Sequence, residues 1–254
     1  QAPDAGLHDR AAAGGAGAWT AIQNAGSPNS VTSININNNT VDSNDVRSTS
    51  TTFNALRNDI ANYSGLTISG NRIANNSKVI AAAGTTVNWI SQTSAGVNSG
   101  NLTIQNNTID RDTFAVASTN AGAVTANLIQ VSGANASSII NVSGNTIKRN
   151  FLKDVNSTYV GTMRGYYSTL PATATENVFG NKLSNLYISA LAGSSATHQL
   201  IGINSAGITT SGGSYTKNIY GNYIDTLYVR TNGEPTPLYN SLVIGINIPT
   251  TTLS

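Results

Sequence analysis

A short motif built around an asparagine occurs six times along the chain, and this repetition constrains the fold more than any other feature. In residues 142–147, for example, Asn145 follows a glycine and lies between the apolar residues Val142 and Ile147. The asparagines are 32 to 41 residues apart, a period typical of a solenoid, a propeller or another stacked array. They are Asn39, Asn71, Asn107, Asn145, Asn181 and Asn222.

The position directly before each asparagine holds only Gly or Asn, the two residues that tolerate a left-handed backbone. We therefore predict a sharp bend there, between two short strands. Two further apolar clusters follow in each repeat, one at seven residues after the asparagine and one at 19 to 22 residues after it. Lys78 interrupts the first of these clusters. Each repeat thus contains three short strands separated by turns rich in Ser, Thr, Gly and Asn.

Three strands per repeat predict an all-β fold, a parallel β-helix (solenoid) of about six to seven coils. Stacked coils lie about 4.8 Å apart, a distance at which side-chain amides can hydrogen-bond to one another. The six asparagines would then form a ladder at one bend, which explains their recurrence without any catalytic role. A propeller is the competing fold, but each of its blades needs a fourth strand, and no fourth strand is visible in the repeat.

The repeats run from one to the next without a linker, so we predict a single β-helix domain over residues 19–254, preceded by an Ala/Gly-rich N-terminal segment, residues 1–18. The apolar strand at residues 242–246 comes close to the end of the sequence. A solenoid end exposes apolar side chains and strand edges unless something covers it. We therefore expect a fragment of a longer chain, or a partner at this end such as a neighbouring β-helix segment or the secretion machinery.

The composition argues against several classes of protein. With 13 basic and 11 acidic residues and no basic stripe, we predict no nucleic-acid partner. The absence of cysteine excludes a disulfide framework and favours, with the abundant Asn, Thr and Ser, an extracellular or bacterial cell-surface location. No apolar run approaches the roughly 18 residues of a membrane span. We also predict neither a cofactor nor a metal.

Charged residues are densest on two neighbouring repeats. If the coils stack in register, Asp110 lies against Lys148. Acidic and basic groups on adjacent coils could bind a metal, protonate a leaving group or abstract a proton. A solvated protein face produces the same pattern, so the catalytic interpretation is the alternative rather than the main hypothesis. Its candidate residues are Asp110, Asp112, Lys148, Arg149 and Lys153.

Aromatic residues recur six positions after the asparagine in three successive repeats, at Phe151, Tyr187 and Tyr228. Their neighbours in the strand are apolar in the last copies, so strand alternation turns the rings to the outer face. Phe179 and Tyr220 form a shorter row of the same kind. An exposed aromatic row can stack on sugar rings or on a partner protein. The alternative is that a long loop covers the rings and they only stiffen the wall.

The motif Ile-x-Gly-Asn-x-Ile, together with the later Ile-Gly-Ile strands at residues 201–203 and 244–246, resembles the right-handed parallel β-helix repeats of the pectate-lyase-like superfamily. It is most similar to the large Asn/Thr/Ser-rich surface proteins that Bacteroidetes export by type IX secretion. That family includes adhesins, structural stalks and carbohydrate-active enzymes. The C-terminal sorting domain that such proteins carry is absent from this sequence.

The resemblance and the composition lead to three functional hypotheses. We favour a non-enzymatic extracellular β-helix segment of an adhesin-like or fibrous surface protein, which binds glycan or a cell-surface protein through its aromatic face. The first alternative is a polysaccharide lyase or glycoside hydrolase with a charged groove. The second is a subunit of an extracellular filament in which coils stack end to end.

Overall fold

The structure is a computed structural model, and every strand that it describes pairs with its neighbours in parallel. It describes residues 19–25, 31–47, 52–60, 63–93, 99–117, 122–132, 138–155, 160–170, 174–190, 197–207, 216–231 and 241–249. The strands in chain order are β1 (Trp19–Asn24), β2 (Val31–Asn37), β3 (Thr40–Asp42), β4 (Asp45–Val46), β5 (Thr52–Asn58), β6 (Tyr63–Ser69), β7 (Arg72–Ala74), β8 (Ser77–Ile80), β9 (Thr86–Gln92), β10 (Ser99–Gln105), β11 (Thr108–Asp110), β12 (Thr113–Val116), β13 (Val124–Val131), β14 (Ile139–Ser143), β15 (Thr146–Lys148), β16 (Phe151–Val155), β17 (Gly161–Leu170), β18 (Thr175–Phe179), β19 (Lys182–Ala190), β20 (Gln199–Gly207), β21 (Thr216–Tyr220), β22 (Tyr223–Thr231) and β23 (Leu242–Asn247).

Three sheets form the walls of a parallel β-solenoid, which confirms the predicted fold class. Within the described residues the first sheet has seven strands, in the order β1-β5-β9-β13-β17-β20-β23, and the second has six, β2-β6-β10-β14-β18-β21. The third sheet has two halves that meet in β19. One half is β3-β7-β11-β15, the other is β4-β8-β12-β16, and β22 pairs with β19. The N-terminal segment predicted at residues 1–18 lies outside the described residues.

The predicted bend is present in all six repeats. The residue before each asparagine has a positive φ, between 55° and 64°, which is the left-handed conformation that Gly and Asn tolerate. The residues at this first bend are Asn38, Gly70, Asn106, Gly144, Gly180 and Gly221.

A second left-handed bend lies four residues after each asparagine, and the sequence did not predict it. Its φ angles lie between 51° and 59°. In the early repeats this bend separates the short strands of the two halves of the third sheet, whereas in β19 and β22 it lies inside a continuous strand. The residues at the second bend are Ser43, Asn75, Arg111, Arg149, Asn185 and Thr226.

The six repeat asparagines form the predicted ladder. The backbone N and Nδ2 of Asn107 both donate to Oδ1 of Asn145, at 3.0 and 2.9 Å, and Asn145 donates in the same way to Asn181. The Nδ2 of Asn145 also donates to the carbonyl of Ile104 on the preceding coil, at 2.9 Å. Each of the four inner asparagines therefore holds its coil in register with both neighbouring coils, and it satisfies backbone groups that the bend removes from the strand ladder.

The solenoid core contains aromatic rings in its first coils. Trp19 stacks on Phe53 with ring centroids 4.4 Å apart, and Trp89 lies 4.8 Å from Phe53 and 5.0 Å from Phe114. Lys78, which interrupts the apolar column, is paired in register with Phe114 and is fully buried. Burial lowers the pKa of its ammonium group.

A polar cluster replaces apolar side chains in the core of the later coils. Glu176 and Lys217 occupy the column that is apolar in the first four repeats, and they are register partners on neighbouring strands. The Glu176 carboxylate is 1% exposed, accepts a hydrogen bond from the Tyr166 hydroxyl at 2.6 Å and one from the Ser205 hydroxyl, and lies 4.0 Å from the Lys217 ammonium. A buried carboxylate is tolerated in a core when it is paired and hydrogen-bonded in this way.

Candidate functional site

The long aromatic row, which consists of Phe151, Tyr187 and Tyr228, lies on the outer face of the third sheet. Strands β16, β19 and β22 place the three residues in register with one another. The ring centroids of Phe151 and Tyr187 are 5.8 Å apart in an edge-to-face contact, and those of Tyr187 and Tyr228 are 5.6 Å apart and nearly parallel. The rings therefore lie one above another as predicted, while their role in binding stays a prediction.

A shallow open cavity of about 290 Å³ lies against the long aromatic row. The Arg230 guanidinium is 5.1 Å from the centre of the Tyr187 ring, and its Nε donates a hydrogen bond to the Tyr187 hydroxyl. At the Phe151 end of the row, the Lys153 ammonium is 5.5 Å from the centre of the Phe151 ring. These cation–π contacts help to fix the orientation of the Phe151 and Tyr187 rings. The cavity walls include Phe151, Asn185, Tyr187, Thr226, Tyr228 and Arg230.

The short aromatic row, Phe179 and Tyr220, lies at the end of the second sheet, directly before the first bend. Its two rings are 5.2 Å apart and inclined by only 4°. Tyr220 is 58% exposed, comparable with the 51% of Tyr228 in the long row. Both aromatic rows thus present flat rings to solvent at the last coils that the structure describes.

Tyr223 is a third exposed aromatic residue on the same coil, and the sequence analysis missed it. It is 59% exposed and lies in register with Lys182. Its column contains threonine or a basic residue in every earlier repeat, so a search for aromatic columns across repeats does not find it. A search for aromatic residues along a single coil would have found it.

The charged candidates do not come together as one catalytic set. The Asp110 carboxylate is in register with Lys148, as predicted, but it is paired with Arg149, whose Nε and Nη2 lie 2.8 and 2.5 Å from its two oxygens. This pairing raises the pKa of the Arg149 guanidinium. Lys153 is exposed and lies beside Phe151. The Asp110–Arg149 pair is therefore a bidentate surface ion pair.

Asp112, a candidate for the charged groove, is instead inside the wall and fully buried. It belongs to a second ladder at the second bend, whose members are Asn44, Asn76, Asp112 and Asn150. The N and Nδ2 of Asn76 donate to Oδ1 of Asp112 at 2.8 and 2.9 Å, and the Asp112 N donates to Oδ1 of Asn150 at 3.1 Å. Burial, with smaller contributions from nearby carboxylates, raises the pKa of Asp112 to about 7. A substrate at the surface cannot reach this carboxyl group.

The described residues form neither a metal site nor a membrane-spanning helix. They contain no group of three or more His, Cys, Asp or Glu side chains arranged to hold a metal ion. In the same part of the chain there is no helix of the length and hydropathy needed to cross a membrane. No protein-family model, curated protein or solved structure matches the chain.

Proposed function

We propose that the chain is a non-enzymatic β-helix segment of an extracellular, adhesin-like or fibrous surface protein, and that it binds glycan through its aromatic surface. The observation that carries this proposal is the row of Phe151, Tyr187 and Tyr228 along an open cavity on the outer wall. Flat rings, two of which carry a hydroxyl group at the edge, suit a sugar, which presents C–H faces for stacking and hydroxyls for hydrogen bonding.

Several features of the chain support an extracellular role. It has no cysteine and only 9% charged residues, and its walls are built from small uncharged polar side chains. Its motif resembles that of the pectate-lyase-like β-helix proteins, and in particular of Bacteroidetes surface proteins exported by type IX secretion. We include that origin and export route in the proposal.

The lyase or hydrolase alternative receives less support. Among its five candidates, Asp112 is buried in a ladder and Asp110 is already paired with Arg149. A general acid or base must lie within hydrogen-bond reach of the substrate proton, and these two carboxyl groups do not meet that requirement on the surface. The long aromatic row therefore favours glycan binding over catalysis.

The test is a triple variant, Phe151→Ala with Tyr187→Ala and Tyr228→Ala, compared with the parent chain on a glycan array. We expect the variant to lose glycan binding while its far-UV circular dichroism stays unchanged. Thr113→Ala is the matched control, because Thr113 occupies the same column one coil before Phe151. Unchanged glycan binding by the triple variant, or binding only to protein-coated surfaces, would contradict the proposal.

A further inference from the structure

We propose that Tyr220, Tyr223 and Tyr228 form a single track along the last described coil, and that this track binds an uncharged glycan chain of several sugar units. The inference rests on the proposed glycan-binding function and specifies its ligand. In this arrangement the glycan chain lies along the strand and not along the solenoid axis. Tyr223 is added to the binding site.

The two left-handed bends turn all three rings to the outer side of the coil, Tyr220 on the second sheet and Tyr223 and Tyr228 on the third. Tyr220 and Tyr223 are three residues apart and Tyr223 and Tyr228 five, and strict strand alternation would place residues at odd spacings on opposite faces. Gly221 at φ 61° and Thr226 at φ 51° each reset the alternation. As a result, all three tyrosines are more than half exposed, at 58%, 59% and 51%.

The length of the track favours a chain over a single sugar. Tyr223 and Tyr228 lie in the same strand, β22, and five residues of strand cover at most about 16 Å, a length that the bend at Thr226 shortens. Tyr220 extends the track beyond the first bend. The rings at the two ends of the track stack on rings of the neighbouring coil, Tyr220 on Phe179 and Tyr228 on Tyr187. Their orientation is therefore fixed before a ligand binds.

The charges along the track favour an uncharged ligand. Asp225 is exposed between Tyr223 and Tyr228, where its carboxylate accepts hydrogen bonds from the Thr226 hydroxyl at 2.8 Å and, weakly, from the Tyr223 hydroxyl at 3.4 Å. A carboxylate accepts hydrogen bonds from sugar hydroxyls but repels a sugar acid. Lys182, opposite Tyr223, balances this charge, and Arg230 is engaged by the ring and hydroxyl of Tyr187. The track therefore offers no excess of positive charge for a polyanion.

The experiment is calorimetric titration of the chain with cellohexaose, xylohexaose, mannohexaose and hexagalacturonate, and with the disaccharide of each neutral series. We expect at least one neutral hexasaccharide to bind about tenfold more tightly than its disaccharide and than hexagalacturonate. Tyr220→Ala, Tyr223→Ala and Tyr228→Ala should each weaken hexasaccharide binding by about tenfold. Thr108→Ala, in the same column as Tyr223 on an earlier coil, is the control and should leave binding unchanged.

The outcomes separate this inference from the proposed function. If the triple variant of the long aromatic row loses glycan binding but Tyr220→Ala and Tyr223→Ala do not, the binding surface stands and the track is wrong. Preferential binding of hexagalacturonate, or of none of the neutral hexasaccharides, would overturn the choice of ligand. Asp225→Asn gives an independent check, because removal of the negative charge should strengthen hexagalacturonate binding, and unchanged hexagalacturonate binding would contradict the role assigned to this carboxylate.

Discussion

Asparagine is required at the repeat position because one side chain must hydrogen-bond to the coil before it and to the coil after it. Asn145 accepts two hydrogen bonds at Oδ1 from Asn107, and its Nδ2 donates both to Asn181 and to the Ile104 carbonyl. Aspartate supplies the acceptor but, when ionised, has no donor. The second ladder contains such a substitution at Asp112, whose Oδ2 has no hydrogen-bond partner although it is buried.

Replacing Asp112 with asparagine should therefore stabilise the protein at neutral pH. The pKa of Asp112 is raised to about 7 in the folded state from 3.8, so its favourable contribution is complete below about pH 4 and is lost as the pH rises to about 7. Three pH units correspond to on the order of 4 kcal/mol. We expect Asp112→Asn to raise the free energy of unfolding at pH 7 and to flatten its dependence on pH between 4 and 7, as measured by urea denaturation.

The reciprocal change provides the control. Asn150 is the next member of the same ladder, and its Nδ2 donates to two carbonyl groups. Asn150→Asp should add a second loss of stability as the pH rises, of the same kind as the loss that Asp112→Asn removes. If Asp112→Asn were less stable than the parent at pH 7, the carboxyl group would have a favourable role that the ladder does not explain.

At the scale of the element, the two left-handed bends determine which side chains point inward and which point outward. The first bend was predictable because only Gly and Asn occur there. The second was not, because Ser, Asn, Arg and Thr all occupy it and their shared property is a backbone angle rather than a side-chain type. Thr226 adopts φ 51° although it is β-branched, a conformation that such residues rarely adopt.

Substitutions at Gly180 test the backbone requirement of the first bend. A Cβ at Gly180 would meet only the Gly144 nitrogen, at 4.0 Å, so the effect of a substitution comes from the left-handed backbone and not from a clash. Gly180→Asn should change the free energy of unfolding by less than about 0.5 kcal/mol, because Asn38 and Asn106 occupy the same column. Gly180→Val should lower it by about 2 kcal/mol. Equal thermal stability of the two variants would contradict the assignment of the bend.

The sequence predicted the elements whose residue type repeats and missed those whose type changes. The first ladder and both aromatic rows were predictable because one kind of side chain recurs at a fixed distance from the asparagine. The second ladder was not, because Asp112 interrupts its asparagines and Leu186 and Leu227 replace them in later repeats. The charged neighbours of Asp112 therefore predict a place in a charged groove, whereas the second bend turns its carboxyl group into the wall.

At the scale of the whole molecule, aromatic rings stack inside the first coils and outside the last described coils, while Tyr166 is buried in the core of a later coil. In the first coils Trp19, Phe53 and Trp89 pack inside, whereas Tyr187 and Tyr228 lie outside in the last described coils. The later core contains instead the Glu176 cluster and aliphatic side chains. The repeated coils provide a rigid wall, and the last coils carry the surface that we propose for binding.

A parallel solenoid requires its coils to stack in register, and distances between spin labels test this stacking directly. The sequence has no cysteine, so labels attach only at introduced ones. Residues Thr40, Arg72, Lys182 and Tyr223 occupy one column of register-paired positions. At about 4.8 Å per coil, the pairs Thr40→Cys/Lys182→Cys and Arg72→Cys/Tyr223→Cys should both lie about 19 Å apart, and Thr40→Cys/Tyr223→Cys about 24 Å apart. We expect double electron–electron resonance to give equal distances for the two pairs that lie four coils apart and a distance about 5 Å longer for the third pair. Unequal distances for the first two pairs would contradict the parallel solenoid.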